Sequence, residues 1–221
     1  MKQKTIVLTF DDAVSNHATF VAPLLQKYNF NATFYVCEFP PDFETNKQQY
    51  MTWEQIKSLD TAGFEIGNHT RRHTGVIGLS PEALIAEMKS LDDICARYGI
   101  RKTETFAYPG GPCDQQAMDV VARYGFKWAR AVGARPFRLN QDNPMLVPGF
   151  PVHGDNTNVF YDAIAQADDD AIPVLMFHGV PEYTHPWVNT APEIFASYME
   201  YLAENNFKVL AMRDLPGGAN R

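Results

Sequence analysis

Lys4-Thr5-Ile6-Val7-Leu8-Thr9-Phe10-Asp11-Asp12 opens the chain with an apolar, β-branched run that stops at two acids. Such a run predicts a buried strand. Further on, strand and helix signals alternate. Residues 17–28 place Phe20, Val21, Leu24, Leu25 and Tyr28 at helical spacing, and residues 32–36 (ATFYV) read as a second strand. Thr52-Trp53-Glu54-Gln55 has the form of a capping box, and Gly63 marks the end of the helix it opens. A third strand is predicted over 64–67. Ser80-Pro81 opens a long helix that Gly99 ends. A strand over 105–107, a helix over 114–124 and a strand over 127–132 follow. Residues 133–158 are rich in Pro, Gly and Asn and predict long loops around one short strand near 146–150. A helix over 158–167, a strand over 172–177, a helix over 192–205 and a strand over 207–211 complete the pattern. About seven to eight strands alternating with about six helices imply parallel strands joined by right-handed crossovers. A distorted (β/α) barrel fits, and an open doubly wound sheet is the alternative.

Hydrophobic residues make up 45% and charged residues 20% of the 221 positions, the balance of a globular chain. No linker or repeat divides it, so residues 1–221 are expected to form a single domain. At this length a core needs no metal or disulfide to hold it, so any metal site points to function. The net charge of -7 argues against nucleic acid as a partner, since phosphate binding needs a basic face. Cys37, Cys95 and Cys113 form no framework and no CxxC pair, which predicts reduced thiols and no thiolate zinc site. The run ending at Phe10 is too short for a signal-peptide core or a membrane span. As written, the chain is expected to be cytoplasmic and to have no membrane partner. It would be secreted or periplasmic if a leader had been removed.

Ligand-capable residues follow the apolar runs: Asp11-Asp12 after the first, Asn68-His69 after the third, Tyr108-Pro109-Gly110-Gly111 after the fourth and His178 after the seventh. In parallel α/β folds the C-terminal strand ends face one site, so these groups should converge. His69 and His73, at i and i+4, predict one helical turn presenting two imidazoles to one cation. The alternative is two surface histidines. Asp12 would add a carboxylate and leave positions open for water and substrate, the layout of a catalytic site. Two adjacent buried acids repel unless something compensates. A cation on one would do so, leaving Asp11 to take a proton from a water. Simple N-capping is the other reading of the pair. His178 ends an apolar strand and reads either as a core residue or as a general acid. It precedes a rim-like loop with Pro181, His185, Pro186 and Trp187. Gly110 and Gly111 either open backbone N–H groups to an oxyanion or merely turn the chain.

These motifs together resemble the polysaccharide deacetylase (NodB-like) family, carbohydrate esterase family 4. The family's Thr-Phe-Asp-Asp element is Thr9-Phe10-Asp11-Asp12, with Ala13 where glycine is usual. Its His-x-x-x-His element is His69-Thr70-Arg71-Arg72-His73, and its Leu-x-x-His element is Leu175-Met176-Phe177-His178. The stretches 53–56 and 63–68 are also family-like, and the likeness runs from about residue 4 to residue 215. It implies a distorted (β/α)7 barrel. It implies Asp11 as base, with Asp12, His69 and His73 holding one divalent metal ion, zinc first, with cobalt or nickel as alternatives. His178 would be the acid, Gly110 the oxyanion donor, and Leu175 the lining of the acetyl pocket. The partner would be an acetylated carbohydrate, met by Tyr108 and Trp187. Many members carry an arginine in the element that here reads Phe106-Ala107-Tyr108-Pro109-Gly110. Ala107 stands in its place, and Arg130 either supplies that cation or is a structural arginine. Asp155 is a candidate for the aspartate that tunes the acid histidine. Trp128 is a groove aromatic or, alternatively, core. Trp53, Tyr183 and Trp187 would favour sugar stacking if exposed.

Three functions are compatible with these residues. One is removal of N- or O-acetyl groups from a poly- or oligosaccharide. A second is hydrolysis of a small amide, as in allantoinase-like proteins of the same fold. The third is carbohydrate binding without turnover.

Overall fold

Strand β1 (Thr5–Phe10) is the hub of the molecule, because three other strands pair with it. The computed structural model describes residues 3–217. After β1, a wide π-type turn over His17–Val21 runs into helix α1 (Ala22–Lys27), so the predicted helix is present but begins under-wound. Then come β2 (Thr33–Val36), α2 (Trp53–Thr61), β3 (Glu65–Asn68), α3 (Pro81–Arg97), β4 (Thr105–Ala107), α4 (Gln115–Tyr124) and β5 (Trp128–Val132). A short β6 (Phe137–Arg138) precedes β7 (Val147–Pro151), α5 (Asn158–Ala165), β8 (Ala171–Ile172), β9 (Val174–Phe177), α6 (Pro192–Glu204) and β10 (Lys208–Leu210). The capping box is formed as read: Thr52 Oγ1 accepts the Gln55 N–H, and Gln55 Oε1 accepts the Thr52 N–H.

All ring pairings are parallel, in the order β1-β2-β3-β4-β5-β7-β9, and β9 closes back on β1. The fold is therefore the seven-stranded (β/α)7 barrel and not an open sheet. The distortion has a visible source. β10 takes the lower half of β1 (Thr5–Val7), leaving only Thr9 and Phe10 to pair with β2. Between β3 and β4 the backbone register is a single pair, Asn68 with Phe106. Buried Glu65 bridges this thin seam from inside, accepting the hydroxyls of Thr33 (2.5 Å) and Thr105 (2.8 Å). The predicted strand over 172–177 is broken at Pro173, which cannot donate to a ladder. Ile172 pairs instead with Phe137 in a small antiparallel ribbon outside the ring.

Alternation divides the strand residues between two layers. Ile6, Leu8, Phe10, Phe34, Ile66, Leu175 and Phe177 join the core under the helices. Val7, Tyr35, Ala107, Trp128, Val147 and Val174 share the core that fills the barrel. Trp128 is thus core, against Phe137 at 5.4 Å, and not a groove aromatic. At Gly67 a Cβ would lie 2.4 Å from the Tyr35 ring, so glycine there makes room for a tyrosine inside the ring. Among the described residues, no helix is long and apolar enough to cross a membrane.

Candidate active site

Asp11 is held at the top of β1 by its N–H bond to Phe177 O (3.0 Å). The chain then turns sharply, with φ of +71° at Asp12 and +54° at Ala13. Non-glycine residues enter this region at a cost, and such strain collects at functional sites. The position where the family resemblance leads one to expect glycine is thus one whose backbone favours it. Arg130 crosses the barrel from β5 and grips Asp11 with Nη2, 2.7 Å from Oδ1 and 2.5 Å from Oδ2. Ala107 and Arg130 are register partners on β4 and β5, so the cation absent from one strand comes from its neighbour. Arg130 is 1% exposed, which rules out the solvated reading. Its stem fits because residue 149 is glycine: a Cβ there would lie 2.9 Å from Arg130 Cδ. Burial alone would push the Asp11 carboxyl up, but Arg130, with help from His69 and His178, holds it below its ordinary value.

Asp12 turns towards two imidazoles. Its Oδ1 lies 3.6 Å from His69 Nε2 and 3.5 Å from His73 Nε2, and the three donor atoms lie within 4.8 Å of one another. The histidines do not sit on a helical turn. Thr70 and His73 have φ of +56° and +52°. The loop is held by Asn68 Oδ1 accepting the Thr70 N–H and by Thr70 Oγ1 accepting the Thr74 N–H. His69 Nδ1 donates to Ala107 O at 2.8 Å, which fixes the tautomer and leaves the Nε2 lone pair facing Asp12. Burial lowers His69 to about 4 and His73 to about 3, so both are neutral and able to ligate at pH 7. Burial, then the charges of Asp11 and Glu182, raise Asp12 well above the usual carboxylate range. One buried carboxylate that no lysine or arginine grips among the described residues, plus two neutral imidazoles, is a donor set that suits a divalent ion of the zinc, cobalt or nickel type.

His178 closes the group, with Nε2 3.9 Å from Asp12 Oδ2. Burial holds it below its ordinary value. Its carbonyl accepts His17 Nε2–H at 3.0 Å, a support that the sequence reading overlooked. These groups border a cavity of about 290 Å³ that Gly110, Tyr108 and Trp187 also line. Among the described residues none accepts the Gly110 N–H, whereas the Gly111 N–H is spent on Tyr108 O. Tyr108 lines the cavity, but its hydroxyl is tied to Met145 O and its ring is buried. Trp187 and Tyr183 are 69% and 80% exposed, whereas Trp53 is buried, so only the first two offer free faces.

Leu175 is not at the site. It faces outward into the core under the helices, and Met176 lines the cavity instead, with its sulfur against Arg130 Nη1. Strand parity explains this, since Met176 and His178 share a face and Leu175 does not. Asp155 is exposed, and the buried acids that act on His178 include Asp11 and Glu182. Phe39, His185 and Glu182 complete the surroundings. Only His185 had been flagged, as part of the rim loop. Buried Cys37 lies with its thiol 4.0 Å from Asp12 Oδ1, and all three cysteines are free.

The sequence profile of the polysaccharide deacetylase family matches residues 1–129. YxkH of Bacillus subtilis (strain 168), named a candidate polysaccharide deacetylase, is 24% identical over 143 residues, covering 65% of this chain and 49% of its own. The chain thus spans about half the length of that relative. Two of the solved structures that share the fold are a pseudoenzyme and an esterase. BA3943, a CE4 family pseudoenzyme from Bacillus anthracis, is 17% identical with a TM-score of 0.65, covering 97% of this chain and 66% of its own. A family 4 acetyl xylan esterase from Clostridium thermocellum, solved with a cobalt ion, is 20% identical with a TM-score of 0.65, covering 96% and 89%. A profile that spans more than half of the chain, over the part that carries Asp11, Asp12, His69 and His73, identifies it as a member of the polysaccharide deacetylase family.

Proposed function

We propose that the protein is a metal-dependent deacetylase that hydrolyses an acetamide or acetyl ester of a carbohydrate. One observation carries this reading: a cation-ready triad, Asp12, His69 and His73, lies beside a second acid, Asp11, that already has its own cation in Arg130. A purely structural site would have no use for the second acid. A divalent ion held by the triad would supply Lewis acidity towards a carbonyl and a water. Asp11, kept ionised by Arg130, accepts the proton of the attacking water. The N–H of Gly110, a residue that lines the cavity, has no acceptor among the described residues and would serve as a donor to a developing oxyanion. Met176 provides apolar surface for the acetyl methyl. His178 delivers the proton to the leaving nitrogen or oxygen. A non-catalytic binder needs none of this arrangement.

The test is acetate release from N-acetylglucosamine oligomers and acetylated xylan, with and without chelator. Turnover that survives complete removal of metal sinks the proposal. Hydrolysis of a small cyclic or acyclic amide is a second reading, favoured by the modest cavity. Assaying such amides beside the sugars separates the two.

A further inference from the structure

The cavity has one walled side and one low side. Strands β2 and β9 flank β1, and the loops that follow them are bonded to each other. Gln49 Nε2 donates to Glu182 Oε1 at 2.7 Å, with both residues buried. The same oxygen accepts the N–H groups of Thr184 (2.8 Å) and His185 (3.1 Å). Asn16 grips this loop from below, with Oδ1 accepting the Val180 N–H at 2.9 Å and Nδ2 donating to Pro181 O at 2.6 Å. Rings continue the wall: Phe39 lies 4.7 Å from His73 and 5.0 Å from His185, which in turn lies 5.3 Å from Trp187. Across the mouth, the loop after β4 and the end of β5 present exposed Gly110 and Val132, the latter 48% exposed.

An extended polymer lying across Asp12 must leave the site on both sides. On the β1 side its path meets a hydrogen-bonded clasp and a row of rings. The cavity of about 290 Å³ is at the foot of the roughly 300–1,000 Å³ range of small-molecule sites, room for one ring and its acetyl group. Resting on the deacetylase reading above, we propose that the site takes a single acetylated sugar ring presented by a free end, as a monosaccharide or a chain terminus, and not an internal residue of a long chain. Trp187, with its face free beside the opening, would stack on that ring.

The experiment follows which acetyl group leaves. N-acetylglucosamine and acetylated xylose are supplied, each as the monosaccharide and as a tetramer labelled at its reducing end. Fragment masses then locate the deacetylated residue. The expected result is loss of one acetyl from a terminal residue, with kcat/KM for the monosaccharide within about tenfold of the tetramer. Loss from internal residues overturns the proposal and leaves the deacetylase reading intact. Acetate release from none of the sugars overturns that reading and this proposal together. Gln49→Ala, which cuts the clasp away from the metal ligands, should admit a second, internal deacetylation, as should Phe39→Ala. A folded pair of variants with an unchanged pattern would show that the wall does not select. Trp187→Ala should raise KM about tenfold with little change in kcat. An unchanged KM would remove the stacking role.

Discussion

Asp11 and Asp12 are sequence neighbours, both buried, yet their carboxyls are pushed in opposite directions. The chief difference is the Arg130 guanidinium, the strongest of the charges that lower Asp11. Arg130 compensates Asp11 and grips no oxygen of Asp12, so on the function proposed above the pair would divide into an ionised base and a ligand for a cation. Two predictions belong to this scale. In Arg130→Gln the Asp11 carboxyl loses the charge that lowers it, so it ionises only at higher pH. A base works deprotonated, so the acid limb of the kcat/KM profile should move to higher pH, with activity at pH 7 falling on the order of 10²-fold. A pH–rate profile with an unmoved acid limb would show that Arg130 does not act through Asp11. Asp12→Ala should abolish metal retention, read by elemental analysis after dialysis, while Asp11→Asn should keep the metal and lose turnover by about 10²–10⁴-fold. Equal loss of metal in both variants would contradict the division of labour.

At the scale of elements, strand ends announced the site and loops hid its details. Apolar runs ending in Asp11, His69 and His178 were legible because a buried strand can stop at a polar group only where something receives it. The histidine pair was misread as helical because i, i+4 spacing is also met by a loop with two left-handed residues, Thr70 and His73. The methionine at the cavity could have been found by counting: on a strand, the residue two before His178 shares its face, and that is Met176. Glu182, Gln49 and Phe39 carried no such signal, since loops have no period to count. A capped helix shows what local rules do specify. α2 begins at its Thr52 box and ends near Asp60, an acid at the end where a helix dipole disfavours it. Asp60 is rescued by Lys57 Nζ from within the helix (2.9 Å) and by Arg101 Nε (2.6 Å), the latter tying the helix end to the segment entering β4. Burial would raise the Asp60 carboxyl, but these donors override it and hold it low. A depressed carboxylate stabilises the fold above its unfolded pKa of about 4, and that stability fades as pH falls through the lower native value. Because both cations are partly exposed, Asp60→Asn should cost only about 1 kcal/mol at pH 7. The gap to the parent should shrink below pH 4, as read by urea unfolding at the two pH values. A gap independent of pH would mean that the carboxylate's charge is irrelevant.

At the scale of the whole molecule, sequence alternation predicted parallel strands but could not decide between a ring and an open sheet. That choice rests on β9 meeting β1, a pairing of residues far apart in the chain that no local pattern encodes. The same closure makes the metal question a folding question. Asp12 follows β1, while His69 and His73 follow β3, and the two strands are separated by β2. An ion shared by these donors would tie together loops on both sides of β2, and it can bind with full strength only when the ring is formed. Anything that binds the native state alone stabilises it by mass action, about 2.7 kcal/mol at a hundred times Kd. For a chain of this length each kcal/mol moves Tm by about 2–4 °C, so saturating zinc or cobalt should raise Tm by roughly 5–10 °C over protein stripped with chelator. Differential scanning calorimetry in both states reads this directly. His69→Ala should remove the shift, because it takes away the donor whose orientation Ala107 O fixes, whereas Trp187→Ala at the rim should keep it. A Tm indifferent to added cation in the parent protein would mean that the three donors do not act as one site.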